Sequence, residues 1–142
     1  MKPILAIGAD HRGFTYKTII KERLDMFEWI DVGAYDAAPS DYPLFGHAVA
    51  QMVASGKVDG GILLCASGIG MSVVANRYPH VYAALVWSVE VARQSKEHDN
   101  ANIVVLPSAY ISVEDACLFI KHWQEASFLQ GKYQRRIALI DQ

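Results

Sequence analysis

Five short apolar runs, each followed by a stretch with helical character, constrain this chain more than any other feature. The runs are ILAIG (Ile4 to Gly8), WIDVG (Trp29 to Gly33), GGILLC (Gly60 to Cys65), YAALVW (Tyr82 to Trp87) and NIVVLP (Asn102 to Pro107). Each has the length of a strand, and together they read as continuously apolar strands covered by helices on both faces. Strand and helix alternate five times, which argues for a parallel sheet in a three-layer α/β/α sandwich. The expected fold is therefore α/β: a single Rossmann-like domain over residues 1–142, with a five-stranded parallel sheet and a C-terminal helix. The alternation does not give the strand order.

The helices have readable ends. The first starts near Gly13 and draws on Phe14, Tyr16, Ile19, Ile20 and Leu24 for apolar contacts. In the second, Leu44, Phe45, Ala48, Val49, Met52 and Val53 keep helical spacing, with Asp41 as the expected cap, Pro43 in the first turn and Gly56 just past the end. The third is expected from about Gly70 to Arg77, stopped by Pro79, and the fourth is capped by Ser88 and ends near KEHDN. The fifth opens on the capping-box pattern SVED (Ser112 to Asp115) and sets Ala116, Phe119, Ile120 and Trp123 on one face. FLQGKYQRRIALI forms the last helical stretch.

At 142 residues the chain is long enough for one real core and short for two. A formal net charge of −2 gives no general attraction to nucleic acid or anionic lipid, so neither is an expected partner. No apolar run is long enough to cross a bilayer. Asp10, His11 and Arg12 interrupt the N-terminal apolar stretch too early for a signal peptide. A cytoplasmic location is expected, with Cys65 and Cys117 as free thiols.

In parallel sheets ligands bind beyond the carboxyl ends of the strands. The first strand is followed by Asp10, His11 and Arg12, and the third by CASGIGMS. The segment HDNAN, with His98, Asp99, Asn100 and Asn102, is expected to join them on the same edge. Ser67, Gly68, Ile69, Gly70, Met71 and Ser72 lie where a strand passes into a helix, and unpaired amides there make an anion site. No Gly-Lys-Ser/Thr follows, so this is not a P-loop, and Val73 replaces the third glycine of a dinucleotide fingerprint. A tight strand-to-helix turn is the plainer reading.

Cys65 stands just before those amides, where a helix N-terminus favours a thiolate able to attack a carbonyl or to take a proton from carbon. No CxxC or HxxxH spacing supports a metal site. Cys117, mid-helix, reads as a small buried apolar residue. His47, His80 and His122 read as surface residues. Asp10 suits sugar hydroxyls or, more simply, a helix N-cap. Lys132, Arg135 and Arg136 suit a phosphate or a solvated helix face.

Five segments then carry a resemblance over the whole chain: GADHRGF, DVGAYD…SDYP, VDGGILLCASGIGMSVVANR, HDNANIVVLPS and GKYQRRI. In order and spacing they resemble the type B ribose-5-phosphate isomerase family and its galactose- and allose-phosphate relatives. The resemblance implies an aldose–ketose isomerase of carbohydrate metabolism with no metal or cofactor. It also implies a homodimer or dimer of dimers whose active sites combine two subunits. Cys65 would be the base that moves a proton between C1 and C2 through an enediolate, with the Ser67 hydroxyl beside the reacting oxygens. The amides of Gly68, Ile69, Gly70, Met71 and Ser72 would hold the enediolate charge. His98, from the neighbouring subunit, would open the sugar ring. Asp10 and His11 would hold the sugar hydroxyls and the phosphate end, with Tyr42 and Asn100 lining the pocket and Asp99 aligned directly after His98.

The departures from the family pattern cluster at the phosphate end. Many relatives carry an arginine where this chain has Ala109, and GRHxxR where it has GKYQRR. Lys132 thus replaces an arginine, Tyr133 replaces a histidine and Arg136 is retained. Lysine lacks the planar fork of arginine, and Arg12 and Arg135 are available as replacement cations. Ribose 5-phosphate is the first expected substrate, with tetrose or hexose phosphates as alternatives. A catalytically inactive phosphosugar-binding module and a cysteine-nucleophile hydrolase are the competing classes.

Overall fold

The computed structural model describes residues 1–142. The elements follow in the order β1 (Ile4–Ala9), α1 (Phe14–Arg23), β2 (Glu28–Asp31), α2 (Tyr42–Ala54), β3 (Gly60–Cys65), α3 (Ile69–Ala75), β4 (Ala83–Leu85), α4 (Val89–Asp99), β5 (Ile103–Pro107), α5 (Val113–Glu125) and α6 (Lys132–Ile140). All strands pair in parallel, in the order β2-β1-β3-β5-β4. The single-domain α/β sandwich expected from the sequence is the observed fold.

That order follows from two amounts of burial. β1, β3 and β5 are the central strands and are buried almost throughout. β2 and β4 lie at the edges, where the expectation of continuous apolar burial fails. EWID in β2 alternates exposed and half-buried residues, and β4 is three half-buried residues long. An edge strand has one neighbour and less cover, so polar residues and a short span are tolerated there.

Right-handed crossovers assign the helices to faces. The chain moves outward from β1 to β2, then back past β1 to β3, so α1 and α2 fall on opposite sides of the sheet. One core cluster joins Ile20, Leu24, Ala92, Phe119, Ile120 and Trp123 from α1, α4 and α5 to one face of the sheet. The other joins Val49, Ala50, Met71 and Ala75 from α2 and α3 to the opposite face.

The caps match in two of three places. Ser88 Oγ accepts from Val91 N at 3.1 Å, and Ser112 Oγ accepts from Asp115 N at 3.1 Å. Asp41 occupies the N-cap of α2 without a side-chain bond, while Pro43 stands in the first turn as expected. α3 spans a shorter stretch than expected and ends at Ala75, before Arg77.

One buried cation tethers the edge strand. Lys17 on α1 is 1% exposed. Its Nζ donates to Asp31 Oδ1 at 2.6 Å and to the Ala34 carbonyl. Lys21 donates to the other Asp31 oxygen at 2.8 Å, and the Gly33 amide donates to Oδ1 at 2.9 Å. Burial alone would raise the Asp31 carboxyl; the lysine and amide hydrogen bonds outweigh it and hold the group below the usual carboxylate range. A lowered native value adds stability that is complete above the unfolded-state value and lost as pH falls through the native one. Asp31→Asn leaves Lys17 buried without its counter-charge and is expected to cost about 3 kcal/mol at pH 7. In urea unfolding the gap between wild type and variant should narrow below about pH 4 as the wild-type carboxylate takes up its proton.

Candidate active site

The connections after β1 and β3 leave in opposite directions, and the crevice between two such strands is where open α/β sheets bind ligands. Ala9 pairs with Leu64 and Cys65 pairs with Pro107. The next residues along the chain, Asp10 and the Cys65 turn, therefore meet at one carboxyl edge.

Hydrogen bonds lock the three loops of that edge. Asp10 is buried, and its Oδ1 accepts from Arg12 N at 2.9 Å and Gly13 N at 3.3 Å. It thus closes its own turn, while its second oxygen has no partner in the chain. The Ser108 hydroxyl lies 3.0 Å from the Arg12 carbonyl and 3.2 Å from the Cys65 carbonyl, and Ser108 N donates to Cys65 O at 3.0 Å. Ser108 thereby ties the ends of β1, β3 and β5 together. It was not among the candidate residues of the sequence; its place directly after NIVVLP was the available signal.

His11 is fixed against the loop before α2. Its N–H donates to Ser40 Oγ and its Nδ1 accepts from Ser40 N, both at 3.2 Å. A backbone amide can only donate, so a neutral His11 carries its proton on Nε2, and that N–H is free for a ligand oxygen.

The Cys65 thiol is buried at the end of β3 and unpaired. No imidazole is hydrogen-bonded to it within the chain, as the thiol nucleophile of a hydrolase requires. Gly68 enters α3 with φ of 76°, and a Cβ there would lie 2.5 Å from Leu85 Cδ1. Of the amides expected to form an anion cradle, two are already used. Ile69 N donates to Ser67 Oγ at 3.2 Å and Ser72 N donates to Gly68 O at 3.0 Å. The amides of Gly68, Gly70 and Met71 donate to nothing in the chain. Tyr42 roofs this turn, since a Cβ on Gly70 would come within 2.4 Å of its ring. Arg12 is exposed, takes part in no ion pair, and has its backbone joined to Ser108, the neighbour of Ala109.

The expectation that HDNAN shares this edge is corrected. α4 starts at the carboxyl end of β4 and runs back to the amino end of β5, so His98, Asp99, Asn100 and Asn102 lie at the opposite edge. Asn102 N donates to Tyr82 O at 3.0 Å, and Asn102 O accepts from Gly61 N at the start of β3. Lys132 and Arg136 on α6 join His98 there, through Tyr133. The His98 and Tyr133 rings stack at 4.5 Å with 8° between planes, and Lys132 Nζ and Arg136 Cζ lie 5.2 Å and 5.8 Å from the Tyr133 centroid. A cavity of about 720 Å³ opens near this second group, between the Tyr78–Ala84 strand approach and the end of α6, and includes none of the carboxyl-edge residues.

Elsewhere Cys117 is buried and His47 and His80 are exposed as expected, whereas His122, expected at the surface, is half-buried on α5. Burial pushes the Cys117 thiol up, as suits an inert apolar position. His47 is exposed and its Nδ1 lies 2.6 Å from the Tyr78 hydroxyl, and His80 is exposed in a turn. No three His, Cys, Asp or Glu side chains converge as metal ligands would, and no helix is long and apolar enough to cross a membrane.

The sequence profile of the ribose/galactose isomerase family matches residues 5–140. The chain belongs to the ribose/galactose isomerase family. Ribose-5-phosphate isomerase B of Escherichia coli (strain K12) is 34% identical over 138 residues, covering 96% of this chain and 93% of that one. A ribose-5-phosphate isomerase from Thermotoga maritima superposes with a TM-score of 0.96 at 38% identity, covering 99% of each chain. Ribose-5-phosphate isomerase B from Mycoplasma genitalium, solved with bound ribulose 5-phosphate, gives 0.93 at 37% identity, covering 97% of this chain and 93% of that one. Within the turn, Gly68 combines a left-handed backbone with a close side-chain contact, whereas Gly70 meets only the Tyr42 ring. Gly68→Ala should cost about 1–3 kcal/mol in urea unfolding, from the left-handed backbone and the Leu85 clash. Gly70→Ala needs only the exposed Tyr42 ring to swing aside and should stay within about 0.5 kcal/mol of wild type. Equal losses at the two positions would contradict this assignment.

Proposed function

We propose that the chain interconverts the aldose and ketose forms of a sugar phosphate, with ribose 5-phosphate and ribulose 5-phosphate the first pair to assay. The observation that carries this reading is the buried Cys65 thiol at the β1/β3 crevice, beside the unpartnered amides of Gly68, Gly70 and Met71. A proton on carbon next to a carbonyl is weakly acidic, so a base and an anion stabiliser must act together. In this proposal the Cys65 thiolate takes the proton from C2 of the open-chain aldose. The C1 carbonyl oxygen becomes an enediolate oxygen held by the free amides and the Ser67 hydroxyl. The thiol then returns the proton to C1 while the hydroxyl proton on O2 moves to O1. Nothing is oxidised or reduced overall.

Asp10, through its free oxygen, and His11, through its Nε2–H, are the proposed holders of the hydroxyls and the phosphate end, with Tyr42 as the roof. Arg12 supplies a cation beside the place left neutral by Ala109. The reading further requires His98, Asp99, Asn100, Lys132 and Arg136 to come from a second copy, because α4 carries them to the far edge of their own sheet. His98 then opens the sugar ring, and Lys132 and Arg136 close on the phosphate. A homodimer, alone or paired into a dimer of dimers, is the proposed working unit. Exposed Ile69 and Val73, one turn apart on α3 beside the half-site, support such a contact. The unpaired thiols suit a reducing compartment, and the cytoplasm is the proposed location.

Ala109 and Lys132 favour a second reading of the substrate alone, in which a tetrose or hexose phosphate replaces the pentose. A panel of tetrose, pentose and hexose phosphates assayed for isomerisation decides between them. For the chemistry, wild type should exchange substrate hydrogen at C2 with deuterium from solvent. Cys65→Ala should abolish exchange and turnover while leaving binding within about tenfold. Full turnover by Cys65→Ala would remove the thiol as the base.

A further inference from the structure

The second half-site is organised around a side chain that the proposed reaction does not yet use. His98, in the last turn of α4, has no hydrogen bond on either ring nitrogen, so nothing polar within the chain sets the direction of its imidazole. What holds it is the face of Tyr133, stacked on it at 4.5 Å with the ring planes nearly parallel at 8°. The backbone brings the two rings together. Leu129 N donates to Glu97 O at 3.0 Å, anchoring the connection before α6 one residue from His98. Gln130 and Gly131, both with positive φ, reverse the chain into α6. Ile137, one turn beyond Tyr133, is buried and pins the helix to the body. Lys132 and Arg136 place their cationic ends 5.2 Å and 5.8 Å from the same ring. One aromatic ring thus gathers His98, Lys132 and Arg136, three of the five residues that the proposed function asks of this half-site.

We infer that Tyr133 is the positioning residue of the half-site, holding the His98 imidazole and the Lys132 and Arg136 cations around a single ring. This rests on the proposed isomerase reading. The Tyr133 hydroxyl makes no hydrogen bond in the chain, so the ring, not the hydroxyl, does the holding. Stacking leaves both imidazole nitrogens free while removing ring rotation, which is what a group that passes a proton to a sugar ring oxygen needs. The cations on the same ring gain from its negative face and are kept at a fixed offset from the imidazole.

The test compares Tyr133→Phe, which keeps the ring, with Tyr133→Leu, which removes it. His98 ring protons, followed by NMR in the full-length protein, should keep their ring-current shift in the Phe variant and lose it in the Leu variant. With ribose 5-phosphate, Tyr133→Leu should lower kcat about tenfold or more and raise KM, while Tyr133→Phe stays near wild type. With erythrose 4-phosphate, which cannot close a ring, Tyr133→Leu should raise KM and spare kcat. In a His98→Asn background, Tyr133→Leu should lower kcat no further. Unchanged ribose 5-phosphate kinetics in Tyr133→Leu, with His98→Asn impaired, overturns this inference alone. An equal loss in Tyr133→Phe also overturns it, since the hydroxyl would then be touching substrate. Wild-type turnover of ribose 5-phosphate by His98→Asn overturns the ring-opening reading itself, and the inference with it.

Discussion

A parallel strand is reached almost always by a right-handed crossover, and that constraint places every residue of the proposed site. Because the chain leaves β1 in one direction and β3 in the other, a crevice opens between them at the carboxyl edge. Asp10, His11 and Arg12 follow the first strand, and Cys65 and its glycine turn end the third. The same rule sends α4 back across the sheet, so His98 finishes at the amino edge. The two groups of proposed site residues are separated within one chain by the handedness of its connections, not by a failure of the motif.

The crevice is made rigid by groups that do no chemistry. Ser108 joins three strand ends through its hydroxyl and amide, and the Asp10 carboxylate closes the turn that carries Arg12. Lys17, buried beneath the β2 loop, is tolerated because Asp31 and the Ala34 carbonyl meet its charge. Ala34 in turn donates to Ala9 O at 2.6 Å, next to Asp10. A buried ion pair at one edge strand therefore reaches, through the carbonyl and amide of Ala34, the loop that holds the proposed sugar ligands. Elsewhere a tyrosine is used differently: burial and the Asp141 carboxylate push the Tyr82 hydroxyl up to about 12, which keeps it protonated as a donor that ties the end of α6 to the sheet.

The central strands were legible in the sequence because ILAIG, GGILLC and NIVVLP are apolar on both faces, which only a covered parallel strand requires. The edge strands were misread for the same reason: the apolar rule says nothing about a strand with one neighbour. Ser88 and Ser112 announced their helices through a hydroxyl at the right offset, whereas Asp41 stood at its cap without making the bond. Cys65 and the turn from Ser67 to Ser72 were placed at the carboxyl edge by position alone. The competition for their amides was not legible, since whether Ser67 or a ligand takes Ile69 N depends on rotamers that spacing does not encode. His98 was assigned to the wrong edge because strand ends count forward along the chain, while a helix end counts backward across the sheet. Tyr133 and Ser108 act through neighbours distant in sequence, and no local pattern marks them.

The proposed isomerase needs, at each site, the carboxyl-edge group of one copy and the α4/α6 group of another. A Cys65→Ala chain, inactive on ribose 5-phosphate, and a His98→Asn chain, strongly impaired on it, can be co-expressed with different tags and the mixed dimers isolated. Each mixed dimer then holds one site with both residues intact and one with neither, and should recover about half of the wild-type activity. Mixed dimers no more active than their parents would mean that Cys65 and His98 serve the same site from the same chain, and would rule out the two-copy site.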